Sequence, residues 1–293
     1  MVLALCVQCT LRTVKKQITG NGEECRMKAY VLNNGWLECD ANWMVSFSTI
    51  ATLQAKECMH KWIKIPVYAV LIDHPDGKIL YDLGCHPDAM NGYWPAGLVS
   101  VFPYYYNPGQ TLVEQLALTG TKPTDIKTVV LSHMHLDHAG NLNLFEHADV
   151  YVHRKDFEYG QTSVHLSPDP AKHGAYVKAD MEVPVKQFHL VEKDFELVPG
   201  VELITLPGHT PGLLGVIVHL EKEGTLIFPQ DALYTRENYG PPAKASGIMY
   251  DNLAFFESVE KVRNYAAKYN ARVMFSHDME YFKTMKLAPQ YYE

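Results

Sequence analysis

Residues 132–140 read Ser132-His133-Met134-His135-Leu136-Asp137-His138-Ala139-Gly140 and follow directly on the apolar run Thr128-Val129-Val130-Leu131. A short β-branched run of this kind reads as a buried strand. Three imidazoles and a carboxylate therefore leave the exit of one strand within six positions. In an extended turn, alternate side chains point to the same side, which puts His133 and His135 together; the next step of chain brings Asp137 and His138 around a second point nearby. Imidazole and carboxylate are good ligands for Zn²⁺ and similar divalent ions, and a catalytic zinc takes about three protein ligands plus a water. Four residues are too few for two ions, so further ligands have to come from elsewhere in the chain.

They come from the exits of later strand-like runs. His209 sits in Leu206-Pro207-Gly208-His209-Thr210-Pro211-Gly212, where glycines and prolines fix a tight loop after the run 201–205. Asp231 follows the run 225–228, and His277 follows 272–275. Three separate strand ends each deliver one residue able to bind metal, a coincidence that scattered surface histidines would not produce.

Working outward, the runs 29–32, 67–72, 79–81, 150–152 and 215–220 are also short and rich in Val, Ile and Leu, and read as strands. Leu112 to Leu118 and Leu253 to Tyr269 carry apolar residues at three-to-four spacing, the latter with Phe256, Val259, Val262 and Ala266 on one stripe. Both read as helices packed on sheets. His74-Pro75-Asp76-Gly77 and Glu221-Lys222-Glu223-Gly224 read as hairpin turns. Hairpins mixed with interposed helices predict an α+β layering in one domain spanning 1–293. Segments 42–62 and 90–107 are aromatic and aperiodic, and are expected to form the apolar wall or lid of a pocket.

Composition narrows the partners. Twenty-six Lys and Arg against 33 Asp and Glu leave a net charge of −7, which argues against a nucleic-acid partner. All six cysteines lie in the first third, Cys6 and Cys9 with C-x-x-C spacing but without a second pair. A chain of 293 residues buries a core large enough to do without disulfides, so a reduced, cytoplasmic protein is expected. The apolar opening run is too short for a signal sequence, no stretch reaches membrane-spanning length, and 12–16 is a solvated basic run. There is no G-x-S-x-G, no P-loop, no H-E-x-x-H and no G-x-G-x-x-G. Of 14 histidines, nine have no partner pattern, although His165 and His173 stand where they could reach a pocket mouth.

The pattern His133-x-His135-x-Asp137-His138, then His209, Asp231 and His277 in that order, resembles the metallo-β-lactamase superfamily. The resemblance runs from Ile79-Leu-Tyr-Asp82-Leu-Gly84 to His277 and implies a four-layer αββα sandwich with a two-zinc site at one edge of its sheets. It implies that His133, His135 and His209 hold one zinc, that Asp137, His138 and His277 hold the other, and that Asp231 bridges them. Asp82 matches the buried aspartate that orients a ligand imidazole in the family.

Departures from other branches narrow the chemistry. The main zinc β-lactamases have Cys where this chain has Asp231, flavodiiron proteins have Glu at His135, and nuclease members add an inserted domain and a basic surface. Glyoxalase II continues past Asp137-His138 into Gly-Gly and ends in a long helical domain, whereas this chain reads Ala139-Gly140 and ends 16 residues after His277 (293 − 277). Asp231-Ala232-Leu233-Tyr234-Thr235 instead resembles the D-x-x-Y-T segment of N-acyl-homoserine lactonases, as do 132–141 and 206–212. That likeness implies a hydrolase that opens a small-molecule lactone by attack of metal-bound hydroxide. Tyr234 would donate to the oxyanion and Asp137 would shuttle the proton. The rival readings are hydrolysis of another ester, thioester or phosphodiester on the same metals, and a metal-binding protein without turnover. The aromatic stretches leave room for a homodimer.

Overall fold

The computed structural model describes residues 26–293. Cys6, Cys9, Cys25 and the basic run 12–16 lie outside the described residues. Among the described residues Cys39, Cys58 and Cys85 carry free thiols, and no helix is long and apolar enough to cross a membrane.

Seven strands form one mixed sheet: β1 (Lys28–Asp40), β2 (Trp62–His74), β3 (Gly77–Tyr81), β4 (Tyr104–Tyr105), β5 (Thr128–Val130), β6 (Asp149–His153) and β7 (Gln187–Val191), in the order β4-β1-β2-β3-β5-β6-β7. Five more form the second: β8 (Phe195–Val198), β9 (Val201–Thr205), β10 (Leu214–Leu220), β11 (Gly224–Gln230) and β12 (Arg272–Phe275), in the order β12-β11-β10-β9-β8. The two-residue period of a strand sorts the core. Ala29, Val31, Val70 and Ile72 face the second sheet and meet Val201, Leu214, Val216 and Phe228, while Tyr30, Leu32, Ala69 and Leu71 face outward. Tyr81 ties the sheets together, its hydroxyl donating to the Leu214 carbonyl at 2.7 Å.

Helices cover both outer faces, which completes the αββα sandwich. Leu112–Ala117 and Arg154–Leu166 lie on the first sheet through Leu112, Leu116 and Val164. Asn252–Tyr269 lies on the second; it starts where Asp251 accepts from the backbone N–H of Leu253 and Ala254, and stops at Asn270 in the left-handed region. Its buried stripe is Phe255, Val259 and Val262, with Ala266 partly buried behind them. Phe256, expected on that stripe, is 39% exposed. Positions 255, 259, 262 and 266 fall within a narrower arc at 100° per residue than a stripe begun at 256.

Three strands escaped the sequence reading. β7 and β8 sit at sheet edges and are only partly buried, so they show no continuous apolar run. Two-residue β4 pairs with Trp36 and Leu37, beyond a bulge in β1 at Asn34-Gly35. Asn33-Asn34-Gly35 looks like a turn in sequence but is this bulge: Gly35 has φ +85°, and a Cβ there would stand 2.3 Å from the Tyr105 carbonyl oxygen. The helix Arg154–Leu166 was also missed, because its buried members are Asp156, Gly160 and Val164 rather than an apolar stripe.

What matters for the site is direction. β3, β5 and β6 are parallel, and β11 runs parallel to β12. β9 is antiparallel to β10 and β10 to β11, so β9 and β11 point the same way. The residues after β3, β5, β9, β11 and β12 gather at one edge of the sandwich.

Candidate metal centre

Two clusters of buried side chains form at that edge. His133, His135 and His209 make one; Asp137, His138, Asp231 and His277 make the other, with the ligand atoms of each cluster within 4.8 Å of one another. In the first, His209 Nε2 lies 3.2 Å from His133 Nε2 and 2.9 Å from His135 Nδ1. Donors on a tetrahedral zinc at its usual bond length stand about 3.3 Å apart. Asp231 joins the clusters. Its Oδ2 is 3.7 Å from His133 Nε2, 3.5 Å from His209 Nε2 and 3.3 Å from His138 Nε2, and its Oδ1 is 3.1 Å from His277 Nε2. Asp137 Oδ2 stands 3.5 Å from both His138 Nε2 and His277 Nε2. All seven residues singled out in the sequence are thus side by side.

The outward ring nitrogens are held, which decides which nitrogen faces inward. His277 Nδ1 donates to the Pro66 carbonyl at 2.9 Å, and His209 Nδ1 to the Ile248 carbonyl at 3.2 Å. His138 Nδ1 donates to Asp82 Oδ2 at 2.8 Å, and His133 Nδ1 is 3.0 Å from Ser132 Oγ, which itself donates to Asp82 Oδ2 at 2.9 Å. With Nδ1 carrying the proton, Nε2 offers its lone pair inward. His135 is the exception and turns Nδ1 to its neighbours.

Asp82 is fully buried and accepts two further hydrogen bonds, from the Ser132 backbone N–H at 2.7 Å and from Gln230 Nε2 at 2.8 Å. It anchors both clusters. Asp82 (φ +60°) and Gln230 (φ +45°) both sit in the left-handed region, a local cost tolerated where surrounding contacts fix the backbone. Gly140 lets two loops meet: a Cβ there would lie 2.3 Å from the His86 backbone nitrogen.

Charge and burial both favour a cation here. Burial, reinforced by neighbouring histidines, pushes His133 and His135 well below the usual imidazole range, so both are neutral. Burial opposes ionisation of Asp231, yet His138 and His277 overcome it and hold the carboxyl well below its usual range. His138 Nε2 and Asp231 Oδ1 are buried without a hydrogen-bond partner. Against the pull of burial, Asp137 and Asp231 raise His138 well above the usual imidazole range and Asp231 raises His277, so the site favours positive charge, which a divalent ion would supply by displacing those protons and bonding the nitrogens and Asp231 directly.

Tyr234 is 1% exposed and its hydroxyl lies 2.8 Å from His209 Nδ1. Burial, with Asp231 and Asp137 nearby, raises its phenol far above the usual value, so it stays protonated. It lines a small, largely apolar cavity of about 40 Å³ with Leu37, Met44, Ile65, Phe102 and Leu136, floored by Asp137, Asp231 and His277. A second, more open cavity of about 340 Å³ also reaches His135 and His209 and is lined by Tyr159, Lys172, His173 and Tyr250. The segments 42–62 and 90–107 contribute Met44 and Phe102 to the small cavity, while Phe47, Ile50, Leu53 and Met59 are exposed. His173 lines the open cavity; His165 is exposed on its helix, bonded to the Gln161 carbonyl at 2.8 Å.

The sequence reading missed Ser132 as a link between Asp82 and His133, Gln230 as a donor to Asp82, and the backbone carbonyls of Pro66 and Ile248 that fix two rings. Ser132 was visible beside His133. The carbonyls carry no sequence signal at all.

Residues 63–274 match the Metallo-beta-lactamase superfamily. The chain is 38% identical over 280 residues, 91% of its length and 99% of the relative's, to the N-acyl homoserine lactonase AiiB of Agrobacterium fabrum (strain C58). It is 30% identical over 275 residues to the N-acyl homoserine lactonase AttM of Rhizobium radiobacter. Among solved structures it is similar to an N-acyl homoserine lactone hydrolase with the product N-hexanoyl-L-homoserine bound at its catalytic metal centre. The TM-score there is 0.76 at 25% identity, covering 91% of this chain and 99% of that one. On its fold, its two His/Asp clusters and these relatives, the chain belongs to the metallo-beta-lactamase superfamily, among hydrolases similar to the N-acyl homoserine lactonases.

Proposed function

We propose that the protein is a dizinc lactonase that opens the ring of N-acyl homoserine lactones. The observation that carries this reading is the conjunction of two clusters sharing Asp231 with the Tyr234 phenol, which lines one small apolar cavity together with His135, His209, Asp137, Asp231 and His277. Relatives named as N-acyl homoserine lactonases over nearly their whole length support it.

His133, His135 and His209 would hold one ion, Asp137, His138 and His277 the other, and Asp231 both. Bound there, the ions would supply a water acidic enough to ionise near neutral pH and would polarise the carbonyl under attack. The chain's own residues do the rest. The one proton on His209 Nδ1 is shared between the Ile248 carbonyl at 3.2 Å and the Tyr234 oxygen at 2.8 Å, which leaves the phenol O–H free to donate to the carbonyl oxygen as negative charge grows on it. Asp137 is 8% exposed and the freest carboxylate at the cavity floor, so it takes the proton from the attacking water and returns it to the leaving ring oxygen. Leu37, Met44, Ile65 and Phe102 exclude water from that exchange. The anchors at Asp82, Pro66 and Ile248 keep the imidazoles from turning.

A pH-stat assay against N-acyl homoserine lactones, simple esters, thioesters and phosphodiesters tests the assignment. Preferential hydrolysis of the lactones, abolished by chelator, is expected; preference for a thioester or phosphodiester would replace the lactone reading with its rival.

A further inference from the structure

Asp82 anchors His138 directly and His133 through Ser132. His135 and the loop carrying His209 lean on a different buried carboxylate, Asp156, from a helix that contributes no residue to either cluster. Asp156 has no solvent exposure. Its Oδ2 accepts at 2.8 Å from the backbone N–H of Met134, the residue between His133 and His135. Its Oδ1 accepts at 2.7 Å from the Tyr176 hydroxyl. The Tyr176 ring in turn packs edge-on against the His135 ring, centroids 4.7 Å apart at 73°. The side chain of Thr210, next to His209, completes its surroundings.

We propose that Asp156 is the positioning residue of the three-histidine cluster, setting the affinity of the ion held by His133, His135 and His209 without touching it. Its three contacts reach the two segments that carry those histidines, the H-x-H backbone and the loop after His209, and the Tyr176 ring that packs on His135. Among the described ion pairs none gives Asp156 a cationic side chain. A carboxylate buried without one is expensive, and a divalent ion held by His133, His135 and His209 would supply positive charge near it. The stabilisation is mutual: the ion favours ionised Asp156, and ionised Asp156 favours the ion. Carboxylates behind metal-bound histidines tune affinity by roughly 10–100-fold.

The proposal rests on the reading that this trio holds a metal, and not on the identity of the substrate. It is tested by loading the full chain with Zn²⁺ and titrating with a metallochromic chelator, comparing wild type, Asp156→Asn and Tyr176→Phe, with circular dichroism and thermal unfolding alongside. Asp156→Asn is expected to surrender one of its two ions at about 10–100-fold lower chelator while the second leaves as in wild type. Tyr176→Phe, which keeps the bond to Met134, shifts the same ion by less, and decides the matter alone if Asp156→Asn does not fold. Wild type that binds no zinc would overturn the metal reading and the proposal with it. Wild type that binds two, with folded variants releasing both ions as wild type does, would overturn this proposal alone. Equal weakening of both ions in step with lost thermal stability would also overturn it, since that marks a packing role.

Discussion

The Tyr234 hydroxyl lies 2.8 Å from Nδ1 of His209, across the ring from the Nε2 that faces His133 and His135. One imidazole therefore connects the three-histidine cluster with the phenol. The inward lone pair requires the proton on Nδ1, and that proton makes the phenol oxygen an acceptor from His209 and leaves its hydrogen for the cavity.

Tyr234→Phe separates the roles of ring and hydroxyl. It keeps the packing of a fully buried side chain and removes the hydroxyl, leaving the Ile248 carbonyl as acceptor for His209 Nδ1, so metal content should be unchanged while kcat/KM falls by roughly 100-fold, in line with loss of one preorganised donor. Atomic absorption and steady-state kinetics on one preparation check it; wild-type rates would remove the phenol from the chemistry.

Asp82→Asn should act on both clusters at once. The fully buried carboxylate accepts from His138, from Gln230 and twice from Ser132, and an amide cannot accept all four. Both ions should be released at about 10–100-fold lower chelator, and unfolding should cost about 1–3 kcal/mol less for each donor left unpaired. Loss of one ion only would show that the Ser132 link to His133 carries no weight.

The helix stripe gives a prediction independent of metal. Phe255→Ala should destabilise by about 3–5 kcal/mol, as expected for a buried phenylalanine, whereas Phe256→Ala should be near neutral. Urea unfolding of the two variants decides which residue faces the second sheet.

The strand exits that carry His and Asp were legible before the structure; that they meet at one edge was implied only by the family resemblance, and the parallel or like-directed strands supply the reason. The hairpins at 74–77 and 221–224 were legible for the same local reason: turn residues between apolar runs. The bulge at Gly35, the phase of the helix at Phe255 and the buried face around Asp156 were not. Each depends on a partner distant in sequence, such as Tyr105, the Gly208 loop or Met134. Nor could the sequence divide the aromatic segments into Met44 and Phe102 at the cavity and Phe47, Ile50, Leu53 and Met59 in solvent.

Asp180 predicts a pH effect on stability. Burial pushes its carboxyl up to about 7, against the opposing hydrogen bond from the Tyr93 hydroxyl at 2.6 Å, and its Oδ2 has no partner. The unfolded chain gives up this proton near 4. Between about 4 and about 7 the folded state therefore holds a proton that the unfolded state has lost, so this group lowers stability as pH rises through that window. Asp180→Asn keeps an acceptor for Tyr93 and should flatten the decline, with urea midpoints at about pH 5 and about pH 8 drawn closer than in wild type. An unchanged spread would contradict the assignment.

The central claim, a two-metal lactonase, is tested most directly by stripping the protein of metal and adding Zn²⁺ back in measured equivalents while following hydrolysis of an N-acyl homoserine lactone. The account predicts no turnover in the stripped protein and activity that rises to a plateau at two equivalents per chain. Full activity in metal-free protein, or no lactone hydrolysis with two ions bound, would contradict it.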